Sequence, residues 1–86
     1  MDSGPSKHNL LGVTQAGNCP ITGQGYIGIA STDVLTGRFV DVELGTGRGQ
    51  RRLLRSYDPK SKLYDVERPW TKVPTPASQV STREAF

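Results

Sequence analysis

The sequence predicts a mainly β protein: a small antiparallel meander or barrel-like sheet with extended N- and C-terminal arms. No window of the 86 residues repeats apolar side chains at the i, i+3, i+4 and i+7 spacing of an amphipathic helix. Nine of the ten glycines lie between Gly12 and Gly49, where they disfavour helices. Short apolar runs bounded by turn residues recur instead, and this pattern is typical of strands.

Four strands are predicted from these runs, together with a short fifth. The clearest pattern lies at residues 38–44, because Val40 and Val42 alternate with Asp41 and Glu43. The other runs lie at residues 26–30, 50–57 and 62–68, and the short fifth lies at residues 10–13.

The links between the four main runs favour antiparallel pairing of neighbours. Gly37 supplies the positive φ that a hairpin between the first two strands needs. Residues 45–49 form a flexible glycine-rich link, and Asp58-Pro59 suits a type I turn. Links this short exclude parallel crossovers, which need about a dozen residues. We therefore expect a core over residues 25–68 in which consecutive strands pair.

The two ends of the chain differ from this core in composition. Residues 1–24 are rich in glycine and polar side chains and hold few apolar anchors, so they predict an extended arm. Residues 69–86 contain Pro69, Pro74 and Pro76, which favour extended backbone and a second arm. From Ser78 onward the sequence permits a short helix.

The predicted core is small for a chain that folds alone. Leucine, isoleucine, valine and phenylalanine make up about 22% of the residues, close to the level at which disorder is expected. The single cysteine, Cys19, excludes an internal disulfide, and with the single histidine it excludes the common zinc sites. We therefore expect other protein chains, including copies of itself, to stabilise the protein.

Several classes of function are not expected from this sequence. His8 has no nucleophile beside it in the sequence, so we expect no enzyme activity. Residues 23–28 match G-x-G-x-x-G, but without the strand before it and the helix after it that dinucleotide binding needs, so no cofactor or small-molecule substrate is expected. The chain lacks the run of about 7–15 apolar residues that a signal peptide needs. We expect no membrane partner and a soluble location, inside a cell or within a viral particle.

Positive charge is concentrated in the middle of the chain. Eight basic and three acidic side chains give residues 48–72 a net charge of +5. Such a stretch suits contact with nucleic acid or with an acidic protein surface. The basic residues are Arg48, Arg51, Arg52, Arg55, Lys60, Lys62, Arg68 and Lys72.

Three apolar side chains near the C-terminus are candidates for docking onto a partner. Trp70 follows the last predicted strand, where it is either an anchor for a partner's pocket or a cover for this chain's own core. Val73 and Phe86 are further candidate anchors in the same arm.

These observations lead to one main hypothesis and one alternative. The main hypothesis is a non-enzymatic structural or interaction subunit of a multi-chain assembly, such as a virus or phage particle, which docks through its arms and its basic strand. The alternative is a small basic β-module that binds RNA or single-stranded DNA, as ribosomal and OB-like modules do. The alternative depends on the basic stretch and on the interleaved Tyr57, Tyr64 and Trp70.

Overall fold

Six strands form a closed antiparallel barrel in a computed structural model that describes residues 10–84. The strands are β1 (Leu11–Asn18), β2 (Gly25–Ile29), β3 (Arg38–Leu44), β4 (Arg51–Asp58), β5 (Leu63–Val66) and β6 (Gln79–Glu84). Around the barrel they follow the order β1-β2-β5-β4-β3-β6, and β6 pairs with β1 to close it. The predicted fold class, a small antiparallel and barrel-like sheet, is confirmed.

Two of the predicted hairpins are present, because short links and alternating side chains determine them locally. β3 pairs with β4 across the glycine-rich link, and Asp41 lies opposite Arg51. β4 pairs with β5 across the Asp58-Pro59 turn, and Asp58 lies opposite Leu63. Gly45, Gly47 and Gly49 in the first link all have positive φ, a conformation that glycine adopts without strain.

The expected pairing between β2 and β3 is wrong. Both edges of β2 are occupied, by β1 on one side and by β5 on the other. Residues 30–37 instead cross one end of the barrel, and Leu35 in this loop is buried in the core. Gly37 does have a positive φ, but its backbone N–H donates to the carbonyl of Leu54 on β4.

Parts of the two segments that were predicted as arms belong to the barrel. Val13 on β1 and Val80 on β6 are both buried in the core. These two strands therefore add apolar side chains to those of the predicted core at residues 25–68. Leu11 lies opposite Val80, and this pairing closes the sheet. The short helix permitted after Ser78 does not form, because the backbone of β6 pairs with β3 along its length.

The interior of the barrel is filled by side chains from all six strands and from two connecting segments. A six-stranded barrel is narrow enough for side chains to fill it, so the interior is a packed core and not a channel. The core consists of Val13, Ile27, Ile29, Leu35, Val40, Val42, Leu54, Tyr64, Val66, Trp70 and Val80.

Gly45 and Gly49 form a matched pair that tests how the β3–β4 link packs. Both have positive φ, at 87° and 97°, but a Cβ at Gly45 would lie 2.8 Å from the Cα of Ser78, whereas a Cβ at Gly49 would have nothing within 4 Å. We expect G49A to lower the free energy of unfolding by roughly 1–2 kcal/mol through backbone strain alone. G45A should lower the free energy of unfolding by about 1–3 kcal/mol more than G49A does, because the added methyl group overpacks the contact with Ser78. Urea denaturation measures both, and equal losses would contradict the close approach.

Candidate interaction surface

Residues 67–78, here called the strap, connect β5 to β6 and lie across the end of the barrel where the β3–β4 link is found. Trp70 fixes the strap, because its side chain is only 3% exposed and lies in the core. Its indole Nε1 donates to the carbonyl of Tyr26 at 3.0 Å. The backbone of Trp70 exchanges two hydrogen bonds with the side-chain amide of Asn18. Of the two alternatives from the sequence, Trp70 covers the chain's own core.

Arg52 is a second buried attachment of the strap. It is 4% exposed, and its guanidinium lies 5.3 Å from the centre of the Trp70 ring. The guanidinium donates two hydrogen bonds to the carbonyl of Pro69, at 2.9 and 3.2 Å, and one to the carbonyl of Arg51. A buried charge is tolerated when its donors are satisfied in this way. Arg52 therefore holds the strap and is not exposed for contact with a partner.

The environment of Arg52 is unfavourable to its charge. Burial lowers the pKa of the Arg52 guanidinium from its ordinary value, and the nearby charge of Arg68 lowers the pKa further. Glu67 acts in the opposite direction and more weakly. The hydrogen bonds to carbonyl oxygens and the contact with the Trp70 ring stabilise this cation.

Gln50 joins the strap to the β3–β4 link through all four bonding positions of its side-chain amide. Its Oε1 accepts hydrogen bonds from the backbone N–H groups of Thr71 and Lys72, at 2.9 and 3.0 Å. Its Nε2 donates to the carbonyl of Lys72 at 2.6 Å and to that of Gly47 at 2.9 Å. The link and the strap are therefore held at fixed positions relative to each other.

Ser78 and Pro74 complete this attachment. The Ser78 hydroxyl donates to the carbonyl of Thr46 at 2.8 Å and accepts from the backbone N–H of Thr75. Pro74 is buried and lies against Gly47 of the link. Backbone and buried side chains thus lock the two segments together, and other side chains of these segments are left on the outside.

Exposed side chains of the link and the strap include apolar and basic groups, and we call this set of residues the strap surface. Leu44, where β3 meets the link, is 46% exposed, and Val73 on the strap is 36% exposed. The basic side chains, all exposed, are Arg48 on the link and Arg68 and Lys72 on the strap. The strap surface therefore consists of Leu44, Arg48, Arg68, Lys72 and Val73.

Carboxylates on the outer face of β3 are already engaged by neighbours. Asp41 accepts from Nε of Arg51 at 2.7 Å and lies 3.2 Å from Nε of Arg83. The bond to Asp41 raises the pKa of Arg51. Glu43 accepts a hydrogen bond from the Ser81 hydroxyl at 2.6 Å. Within residues 10–84, neither carboxylate pairs with a cation of the strap surface.

The eight basic residues singled out in the sequence do not form one surface. Arg51 and Arg55 lie on the wall of the barrel, where Arg51 is paired with Asp41 and Arg55 lines a groove with Asp65. Lys60 and Lys62 lie in the β4–β5 turn, at the opposite end of β4 from the link. Arg48, Arg68 and Lys72 are the members that the structure brings to the strap end.

The three predicted docking residues also have different positions. Val73 belongs to the strap surface, whereas Trp70 is in the core. Phe86 lies outside the described residues. Sequence reasoning missed Gln50, Asn18 and Ser78, which fix the strap, because an isolated polar side chain gives no local signal of a partner more than 20 residues away.

Cys19 lies in the β1–β2 link and is partly exposed. Hydrogen bonds from the backbone N–H of Thr22, from its hydroxyl and from the backbone N–H of Ile21 lower the pKa of the Cys19 thiol. Burial opposes this effect weakly. The thiolate should therefore form at a lower pH than it does in an unstructured peptide.

Between residues 10 and 84, no cluster of three or more histidine, cysteine, aspartate or glutamate side chains is placed to hold a metal ion. In that same part of the chain, no helix has the length and apolar character required to cross a lipid bilayer. Comparison with protein-family models, with curated proteins and with solved structures finds no match to this chain.

The contribution of Gln50 to stability and to the attachment of the strap can be measured by truncating its side chain. Because Q50A leaves the N–H groups of Thr71 and Lys72 without their acceptor, we expect a loss of about 1–3 kcal/mol in the free energy of unfolding. Amide hydrogen exchange at Thr71 and Lys72 should accelerate at the same time. Q15A removes the same group from an exposed position of β1 and should leave stability within about 0.5 kcal/mol of wild type. Unchanged exchange at Thr71 and Lys72 in Q50A would contradict the attachment.

The Cys19 environment predicts a pH dependence of alkylation. The rate of reaction with iodoacetamide should rise with pH and reach its midpoint below that of a cysteine in an unstructured peptide, because the thiolate is the reactive form. Thr22→Val removes the hydroxyl donor and should move the midpoint upward. A midpoint in the wild-type protein that equals the peptide value would show that these hydrogen bonds do not stabilise the thiolate.

Proposed function

We propose that this protein is a non-enzymatic interaction subunit of a larger multi-chain assembly, and that it docks onto an acidic protein through the strap surface. The observation that carries this proposal is the attachment of the strap by Gln50, which fixes the backbone of the link and the strap that bear exposed apolar and basic side chains. A backbone that is already ordered loses little conformational entropy when a partner binds.

The composition of the strap surface supports a protein partner. Leu44 and Val73 supply apolar area that becomes buried on contact, while Arg48, Arg68 and Lys72 supply charge that steers and orients an acidic partner. The surface as defined contains aliphatic side chains and no aromatic ring. An aliphatic surface favours a protein over a single-stranded nucleic acid, whose bases stack on aromatic rings.

The alternative of nucleic-acid binding loses support at this end of the barrel. It depended on basic residues interleaved with aromatic ones, yet the Trp70 ring is in the core and Arg52 is buried beside it. Tyr57 and Lys62, which also belonged to that pattern, lie at the other end of β4.

A pair of charge-matched variants tests the proposed docking. In a native lysate of the source cells, the wild-type chain should sediment with a large complex, well above its own 9.4 kDa. R48Q/K72Q removes two positive charges from the strap surface and should move the chain to light fractions. R55Q/K60Q removes the same charge from positions outside that surface and should sediment as wild type. Circular dichroism of the purified variants verifies that each is folded.

Two outcomes would overturn the proposal. One is a wild-type chain that sediments as a free monomer in the native lysate. The other is equal release of the chain by R48Q/K72Q and R55Q/K60Q, which would point to overall charge instead of the strap surface.

A further inference from the structure

An open cavity of about 410 Å³ lies at the end of the barrel opposite the strap. It is bordered by the loop between β2 and β3 and by the turn between β4 and β5, and we call it the mouth cavity. Its volume falls within the range of small-molecule sites, about 300–1,000 Å³. Ile29 and Tyr64, both core residues, form part of its lining, so the cavity lies directly on the packed interior.

The lining of the mouth cavity is held in place by hydrogen bonds. The Tyr64 hydroxyl accepts from the backbone N–H of Leu35 at 3.2 Å and lies 3.3 Å from the carbonyl of Asp33, to which it donates. The Ser31 hydroxyl accepts from the backbone N–H of Asp33 at 3.1 Å. The loop that forms one side of the cavity is thus fixed to the core and does not need a ligand to shape it.

Tyr57 provides an aromatic surface at this cavity. It lies opposite Tyr64 on the neighbouring strand, with ring centres 4.6 Å apart and planes tilted by 44°. Unlike Tyr64, it is 40% exposed, so part of its ring is available to a ligand. A half-exposed tyrosine ring supported by a second ring suits the stacking of a flat heterocycle, because every base has a π-face.

Lys62 is a basic residue of the same lining, and its backbone has a strained conformation. Its φ of 62° makes it the one non-glycine residue between residues 10 and 84 with a positive φ. Glycine or asparagine adopts this conformation at lower cost than lysine. The turn itself therefore does not require a lysine here, and Lys62 is one of the residues that line the cavity.

The lining also includes Asp33, which carries a carboxylate, and the hydroxyl-bearing residues Ser31, Thr32 and Ser61. An aromatic ring, a cation and a carboxylate in one cavity match the three parts of a nucleotide that carries an exocyclic amino group. The ring stacks on the base, the cation meets the phosphate and the carboxylate accepts from the amino group.

We propose that the mouth cavity binds a nucleotide with an amino-substituted base, either free or as part of a single strand: the base stacks on Tyr57, the phosphate contacts Lys62 and the amino group donates to Asp33. This site is separate from the strap surface and goes beyond the proposed docking function. Each proposal can therefore fail without the other.

The experiment is an NMR titration of the full chain, labelled with ¹⁵N, with 5′-CMP, 5′-UMP, inorganic phosphate and hexacytidylate. We expect 5′-CMP to shift amide signals in the β2–β3 loop and the β4–β5 turn, and to bind at least about fivefold more tightly than 5′-UMP, which has a carbonyl oxygen in place of the amino group. D33N should reduce this preference. Tighter binding of hexacytidylate than of 5′-CMP would identify a single strand as the source, and the reverse order would identify a free nucleotide; either order supports the site.

Variants separate binding from folding. Y57L should weaken 5′-CMP binding at least about fivefold. K62G should also weaken binding while raising the melting temperature, because glycine relieves the positive φ. K60A, in the same turn but not in the lining of the cavity, should bind 5′-CMP as wild type does.

The proposal fails if neither nucleotide nor hexacytidylate shifts these signals. It also fails if inorganic phosphate shifts them as 5′-CMP does, since charge alone would then explain binding. Unchanged affinity in both Y57L and K62G would likewise overturn it.

Discussion

The contact between the Arg52 guanidinium and the buried Trp70 ring is the interaction on which the strap end depends. A charge in a protein interior is stable only if its donors are satisfied, and here backbone carbonyls of the strap and of β4 satisfy them. Because Trp70 in turn bonds to Tyr26 and Asn18, one arginine links the strap to three strands. A cation from the basic stretch thus acts as an internal support.

Because the strap covers only one end of the barrel, the two ends differ in chemistry. At one end the strap covers the core and leaves an outer surface of aliphatic and basic side chains. At the other end Leu35 of the β2–β3 loop packs into the core, and a cavity lined by Tyr57 and Tyr64 remains open. The proposed protein contact and the proposed nucleotide site follow from this difference, since each uses the groups that its own end leaves exposed.

Local patterns in the sequence were enough to predict the strands at the centre of the fold and two of its hairpins. The alternation in β3 and the Asp58-Pro59 turn are properties of a few neighbouring residues. The pairing of β1 with β6 and the position of Trp70 depend on partners 44 residues or more away along the chain, and composition carries no information about them. For the same reason, the sequence showed that residues 48–72 carry excess positive charge. It did not show that these basic residues are divided between the two ends of the barrel, its wall and its interior.

The pairing of Leu11 with Val80 has a consequence for how the chain folds. The strands that close the barrel are far apart in the sequence, so closure cannot occur until β6 has left the ribosome. Each such contact requires a long loop to close, and proteins dominated by contacts of this kind fold in milliseconds to seconds, not microseconds. During synthesis β1 lacks its partner on that side, and a chain cut short before β6 would leave β3 and β1 with unpaired edges that favour aggregation.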